Sequence, residues 1–261
     1  MADPIHQFEV TKIVDLPDIP LPGGRAIDMA FTNSTLAMTL AAGAVVLLMA
    51  VVTSRPAVVP GRIQTIGESL FGIVDNLTSS IIGHEGRKFA PFILTLFLFI
   101  LAMNLLGLFL VFTATSQLAV TGALGLMTIL LVIVVGLMRH GLGFLGLFWP
   151  MGAPLALRPL VGFIEFISFL LRPLTLALRL FGNMLGGHVA LKVFAGFVVS
   201  LGGLAASGGL GLLGIPGAAL AFGGVVALTA LEFLVAFLQA FVFAVLATIY
   251  INDVVNLGHG H

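Results

Sequence analysis

Long apolar runs separated by short polar breaks organise the chain. Those near 34–53, 90–113 and 118–138 carry no charged side chain. About 20 residues at 1.5 Å per residue cross a hydrocarbon core about 30 Å thick, so each run predicts a membrane-spanning helix. The stretch 60–83 has another pattern: Ile63, Ile66, Leu70, Val74, Leu77 and Ile81 recur at helical spacing opposite Arg62, Gln64, Glu68, Asp75, Asn76 and Ser79. That periodicity predicts an amphipathic helix lying on the membrane surface or against a partner.

Two longer helical patterns follow, over 159–201 and 217–257, with Pro173 inside the first and a glycine-rich turn closed by Pro216 between them. Beyond Pro173 the first pattern runs on for about 29 residues, or about 43 Å, which predicts a strongly tilted helix. Residues 1–33 form an extramembrane N-terminal arm, and 34–261 form a single helical membrane domain. The expected fold class is all-α and integral to the membrane, with five spanning helices and one amphipathic surface helix, because lipid tolerates only elements that close their own backbone hydrogen bonds.

Composition strengthens this picture. Hydrophobic residues make up 59% of the 261, charged residues 8%, and the mean hydropathy is +1.20, a mix that suits a lipid bilayer as solvent. Net charge is +0, which argues against nucleic acid as a partner, and the chain has no cysteine for disulfides or thiolate metal sites. The arm, with Asp3, Glu9, Asp15, Asp18 and Asp28 against Lys12 and Arg25, resembles neither a cleavable signal peptide nor a basic transit peptide.

Basic residues set the orientation. Arg55, Arg62, Arg87 and Lys88 lie in the 54–89 connection, Arg139 and Arg158 in the 139–158 connection, and both belong on the inner side. The connections near 114–117 and 202–216 hold no Lys or Arg and face outward with the acidic arm. The C-terminus is then inside.

Ionisable residues inside the last two helices change the reading from scaffold to conductor. Glu165, Arg172, Arg179, His188 and Lys192 fall on one and Glu232 on the other, where a charge costs roughly 2.5–3.5 kcal/mol on insertion scales and marks a functional position. At 100° per residue, Glu165, Ser168, Arg172, Thr175, Arg179 and Asn183 form a continuous polar stripe, with His188 on the opposite face. Thr229, Glu232, Gln239, Tyr250 and Asp253 form a second stripe on the last helix. With Gln239 level with Arg179, Glu232 and His188 lie about 10 and 13 Å toward the outer side, and Glu165 and Arg172 toward the inner. A carboxylate and an imidazole able to titrate near neutrality would share the outer half, leaving a permanent cation between two polar half-paths.

The segment Leu171 to His188, LRPLTLALRLFGNMLGGH, is similar to the signature of subunit a of F-type ATP synthases. Leu238-Gln239-Ala240-Phe241-Val242-Phe243 resembles that family's final helix, and Met103-Asn104-Leu105-Leu106-Gly107 a third, weaker element. Order and spacing also fit, so the resemblance spans nearly the whole chain apart from the arm. It implies a proton-translocating subunit whose partners are a ring of c subunits, the b subunits of the peripheral stalk, the rest of the ATP synthase complex and the bilayer. It also implies that Arg179 faces the carboxylate of each passing c subunit, attracts it, keeps it ionised and bars a direct proton leak. Asn183, His188, Glu232, Gln239 and Asn104 are implied for the outer path or the packing around it, and Glu165 for the inner path, with Arg172 beside it. Gly186 and Gly187 stand where other members often carry alanine. A bacterial inner membrane is expected, with an organelle-encoded inner-membrane protein as the alternative.

Plainer readings stand beside these. Arg179 could be an ion-paired structural residue, His188 a neutral histidine bonded to a neighbouring helix, and Glu232 one half of a bridge with Lys192. Gln239, Asn104 and Ser168 could be interhelical glue, while Arg172 and Asp253 could be solvated near the inner interface. The tail Gly258-His259-Gly260-His261 does not by itself make a metal site. No nucleotide-binding loop or nucleophile arrangement is present, so the chain calls for no cofactor and no catalytic site of its own, and ATP chemistry belongs to another subunit. A secondary transporter would show two related halves, which the sequence lacks. A structural anchor would leave proton flux intact when Arg179 is lost.

Overall fold

A computed structural model of the chain describes residues 9–15, 19–20, 26–27, 30–54, 61–109, 113–148, 157–206 and 214–257. Six α-helices carry the architecture: α1 (Asn33–Thr53), α2 (Arg62–Ile82), α3 (Ala90–Phe109), α4 (Leu118–His140), α5 (Arg158–Ala206) and α6 (Gly214–Val255). Shorter 3₁₀ turns occupy Gly83–Lys88, Ala114–Ser116 and Gly141–Phe148. All the helices except α2 are long and apolar enough to cross a membrane. The apolar pattern set at 90–113 ends as a helix at Phe109, and the tail Gly258–His261 lies outside the described residues.

The arm adds strands that the hydropathy pattern did not predict. Here β1 (Lys12–Asp15) pairs antiparallel with β4 (Ala30–Thr32), and β2 (Ile19–Pro20) with β3 (Ala26–Ile27). Asn33 ties the β1–β4 ladder to the start of α1: its amide donates to Glu9 O at 3.0 Å and its backbone N–H to Thr11 O at 3.1 Å.

The chain divides into two compact units, one made of 1–42, 101–117 and 180–238, the other of 43–100, 118–179 and 239–261. In the second, α2 and α4 lie whole. Its core is aliphatic and aromatic, with Val74, Ile93, Phe97, Ile100, Val132, Phe243, Ile251 and Val254 almost fully buried. Close helix approach relies on missing side chains, as at Gly125 and Gly136. A Cβ at Gly125 would lie 2.6 Å from Pro173 O, and one at Gly136 would meet Phe144 and Val254 at 2.5 and 2.7 Å. Phe144, Phe148, Phe166 and Phe169 then stack edge to face, with centroids 5.5–6.2 Å apart, which adds to apolar burial.

Three polar contacts gather chain ends at one side of this unit. Arg139 pairs with Glu85, His140 Nε2 meets Val254 O at 3.0 Å, and Asn256 donates to Ile82 O at 3.4 Å. The end of α4 and the end of α6 thus sit with the turn that follows α2, as alternating spans require. Helix α2 buries its apolar face only in its C-terminal half, at Val74 and Ile82, whereas Ile63 and Ile66 stay exposed.

Three buried hydroxyls of this unit are satisfied within their own helices. Thr78, Thr128 and Thr248 donate to the carbonyls of Val74, Leu124 and Ala244, so a polar side chain can occupy an apolar environment without an orphaned donor. Outward-facing positions are apolar, as at Val46, Met138 and Leu220, exposed by 68%, 82% and 81%. Water would penalise such a surface, and a bilayer would not.

Candidate functional site: two polar clusters and an exposed arginine

In the second unit, the guanidinium of Arg172 is locked. It pairs with Asp253 at 2.9 Å and with Glu165 at 3.5 Å, and lies over the rings of Tyr250 at 4.8 Å and Phe169 at 5.3 Å. Its side chain is only 14% exposed. Asp253 and Tyr250 come from the polar stripe of α6 and Glu165 and Arg172 from that of α5, so the two stripes meet here. Every charge in the cluster has an opposite neighbour, the condition under which partly buried ions are tolerated.

Seven residues on, Arg179 has a different environment. It is exposed and, among the described residues, forms no salt bridge. Along the same stripe Ser168, Thr175 and Asn183 are exposed as well. Leu176, Ala177 and Leu180 on the other side of the helix are buried to within 2%. Packing of that apolar side turns the guanidinium outward. Gln239 is buried in α6, at 5% exposure.

The first unit holds the other candidates in a different style. Asn104, fully buried on α3, donates from Nδ2 to Ala236 O of α6 at 3.2 Å. His188 Nε2 meets Thr113 Oγ1 at 2.9 Å. Glu232, 9% exposed, lies against Gly187: a Cβ there would fall 2.6 Å from Glu232 Oε1. Nothing lies within 4 Å of the equivalent point at Gly186. Gly187 therefore makes the space that the carboxyl occupies, while Gly186 faces open surroundings. Neither oxygen of Glu232 has a hydrogen-bond partner.

Four buried side-chain polar atoms among the described residues lack a hydrogen-bond partner, and all belong to this unit: Asn104 Oδ1, Thr115 Oγ1 and both oxygens of Glu232. An unmet buried polar group costs about 1–3 kcal/mol, so such a set needs a reason. The structure thus joins His188 to Thr113, Glu232 to Gly187 and Asn104 to α6 in one unit, and Glu165 to Arg172 in the other. Thr113 and Thr115 were not singled out from the sequence. Their only signal there is a charge-free connection crowded with hydroxyls, Thr113-Ala114-Thr115-Ser116.

Comparison with known proteins decides the family. The profile of the ATP synthase A chain family matches residues 35–252. The chain belongs to that family. It is 51% identical over 255 residues to "ATP synthase subunit a" of Hyphomonas neptunium, covering 97% of this chain and 96% of that one. The protein of the same name from Chelativorans sp. is 48% identical over 259 residues, with 99% of each covered, and that from Rhizobium leguminosarum bv. trifolii is 49% identical over 260, again with 99% of each covered. Family membership and five membrane-competent helices make this a multi-pass protein of the bacterial inner membrane and a member of the ATP synthase complex.

Proposed function

We propose that this subunit a family member carries protons between the two membrane faces and a ring of c subunits through two half-channels, with Arg179 as the separator between them. The observation that carries the reading is the contrast between Arg172, paired and stacked, and Arg179, outward-facing with no salt bridge among the described residues. An outward-facing guanidinium without a resident carboxylate suits a carboxylate that comes and goes, which a c ring would supply. Arginine suits the post because it stays protonated where a lysine could lose its charge.

In this reading the outer half-channel runs past Asn104, Asn183, His188, Glu232 and Gln239, and the inner past Glu165, with Arg172 holding Glu165 and Asp253 in place. The unmatched buried atoms of Asn104, Thr115 and Glu232 support the first assignment, since water or a passing proton can meet them and a sealed core would not. Each charge crossing the membrane is worth about 2.3 kcal/mol per 100 mV, so several protons drive each ATP made elsewhere in the complex. The b subunits of the peripheral stalk hold the subunit against the turning ring, and the acidic arm stays outside the lipid.

The test is ATP-driven acidification of membrane vesicles, followed by a pH-sensitive dye, with the complex intact. Arg179→Ala should lower the rate roughly a hundredfold or more, the scale seen when a positioned charge is removed, with the complex still assembled. Undiminished pumping would return Arg179 to a structural role.

A further inference from the structure

Thr113 lies in the turn between α3 and α4 and is 3% exposed. Its hydroxyl touches two groups at once, Gly107 O at 3.2 Å and His188 Nε2 at 2.9 Å. A carbonyl oxygen only accepts, and a threonine hydroxyl has one proton to give. Both contacts are therefore made only when Oγ1 donates to Gly107 and accepts from an N–H at His188 Nε2. The surroundings hold this arrangement in place. Ser116 Oγ and the Ser116 N–H both donate to Thr113 O, at 2.6 and 3.1 Å, and close the turn. Gly107 permits the approach, because a Cβ there would lie 2.4 Å from Thr113 Cγ2 and 2.9 Å from its hydroxyl.

We infer that Thr113 is a positioning residue for the proton path: it fixes His188 with its proton on Nε2, so that protons enter and leave the ring at Nδ1. The inference rests on the reading of His188 as a member of the outer half-channel. Neutral and protonated imidazole both carry the Nε2–H in this arrangement, so the bond to Thr113 survives each cycle. A proton arriving at Nδ1 gives the imidazolium, and its departure from Nδ1 restores the starting tautomer, with no net change in the ring. A relay in at one nitrogen and out at the other is closed, since the hydroxyl proton of Thr113 is committed to Gly107. The imidazole acts as a store that loads and unloads on one side, and partner hydrogen bonds that fix a histidine tautomer are a general device.

Vesicle acidification by the whole complex, with the amount of assembled complex measured alongside, separates the possibilities. Thr113→Val and Thr113→Ala, one keeping the side-chain shape and the other relieving any crowding at Gly107, should each slow pumping roughly tenfold, within the range found for lost partners of functional histidines. Thr113→Ser keeps the hydroxyl and should hold the rate to within about threefold. Equal loss in the serine and valine variants would mean that the methyl group matters, and would overturn the inference, as would wild-type pumping in both the valine and alanine variants. His188→Ala tells the two layers apart. Pumping lost there but normal in Thr113→Val and Thr113→Ala removes the inference alone, whereas normal pumping in His188→Ala removes the path reading and the inference with it.

Discussion

Two polar clusters in this protein solve the problem of charge in an apolar setting in opposite ways. Around Arg172, two carboxylates and two aromatic rings surround one guanidinium, so its charge is matched and its geometry fixed. Around His188 and Glu232, a neutral hydroxyl meets the imidazole, a glycine leaves room for the carboxyl, and neither carboxyl oxygen has a partner. A matched cluster has little reason to exchange protons and much reason to hold helices together. An unmatched one carries a standing cost, which the proposed proton passage would account for. The same contrast recurs between Arg172 and Arg179 on one helix. In the proposed reading, the satisfied charges hold the helices and the unsatisfied ones serve proton passage.

Substitutions can break or sharpen this comparison. After Arg179→Ala, the largest loss is expected from Glu232→Gln, which keeps the shape of the side chain and removes its proton chemistry. Pumping should fall roughly tenfold to a hundredfold, in the lower range for a general acid or base, and an unchanged rate would make Glu232 a packing residue. Next comes Gly187→Ala, whose new methyl group would collide with Glu232 Oε1. Overpacking of about 1–2 kcal/mol would slow pumping about tenfold, while Gly186→Ala, with nothing near, should pump normally. Equal effects at the two glycines would dissolve the link between Gly187 and the carboxyl.

The matched cluster should respond in stability rather than rate. Arg172→Ala leaves Asp253 and Glu165 facing each other without their cation, at a cost of about 1–2 kcal/mol once their partial exposure is allowed for. The midpoint of heat inactivation of the complex should drop by a few degrees, with pumping before heating reduced less than about threefold. A loss of pumping as large as that of Glu232→Gln, without loss of heat tolerance, would place Arg172 in the path. The smallest effect belongs to the exposed Glu85. Its hydrogen bond from Arg139 holds the carboxyl below its ordinary value of 4.5. The stabilisation is therefore complete above that value and lost as pH falls through the lowered one. Arg139→Gln should lower heat tolerance slightly at neutral pH and low salt, because salt screens an exposed pair, and the difference from the parent protein should fade as pH falls below about 4.5 and the carboxyl is protonated in both; a difference that grew in acid or persisted at high salt would contradict this.

Most of the fold follows from hydropathy, because in a bilayer every span must be apolar over its length and close its own hydrogen bonds. The runs at 34–53 and 118–138 became α1 and α4 with ends shifted by at most two residues, and the 3.6-residue stripes of the last two helices could be drawn without coordinates. Charge at spanning positions likewise marked Arg172, Arg179, His188 and Glu232 as unusual. Strand pairing in the arm was not legible, since ladders of two or three residues leave no period to detect.

What the sequence alone determined, then, is the class of the protein, the number of spans and the identity of the costly side chains, since each depends on composition within a single helix. Only tertiary structure decided which of those side chains are paired. The same stripe carries Arg172 and Arg179, and nothing local distinguishes them; Asp253 and Tyr250 arrive from a helix some 80 residues away, at a distance that only packing sets. Thr113 reaches His188 across 75 positions, and Gly187 gains its meaning from a carboxyl on α6. Proton chemistry depends on such partners, because a donor, an acceptor and the space between them are properties of a pair of helices.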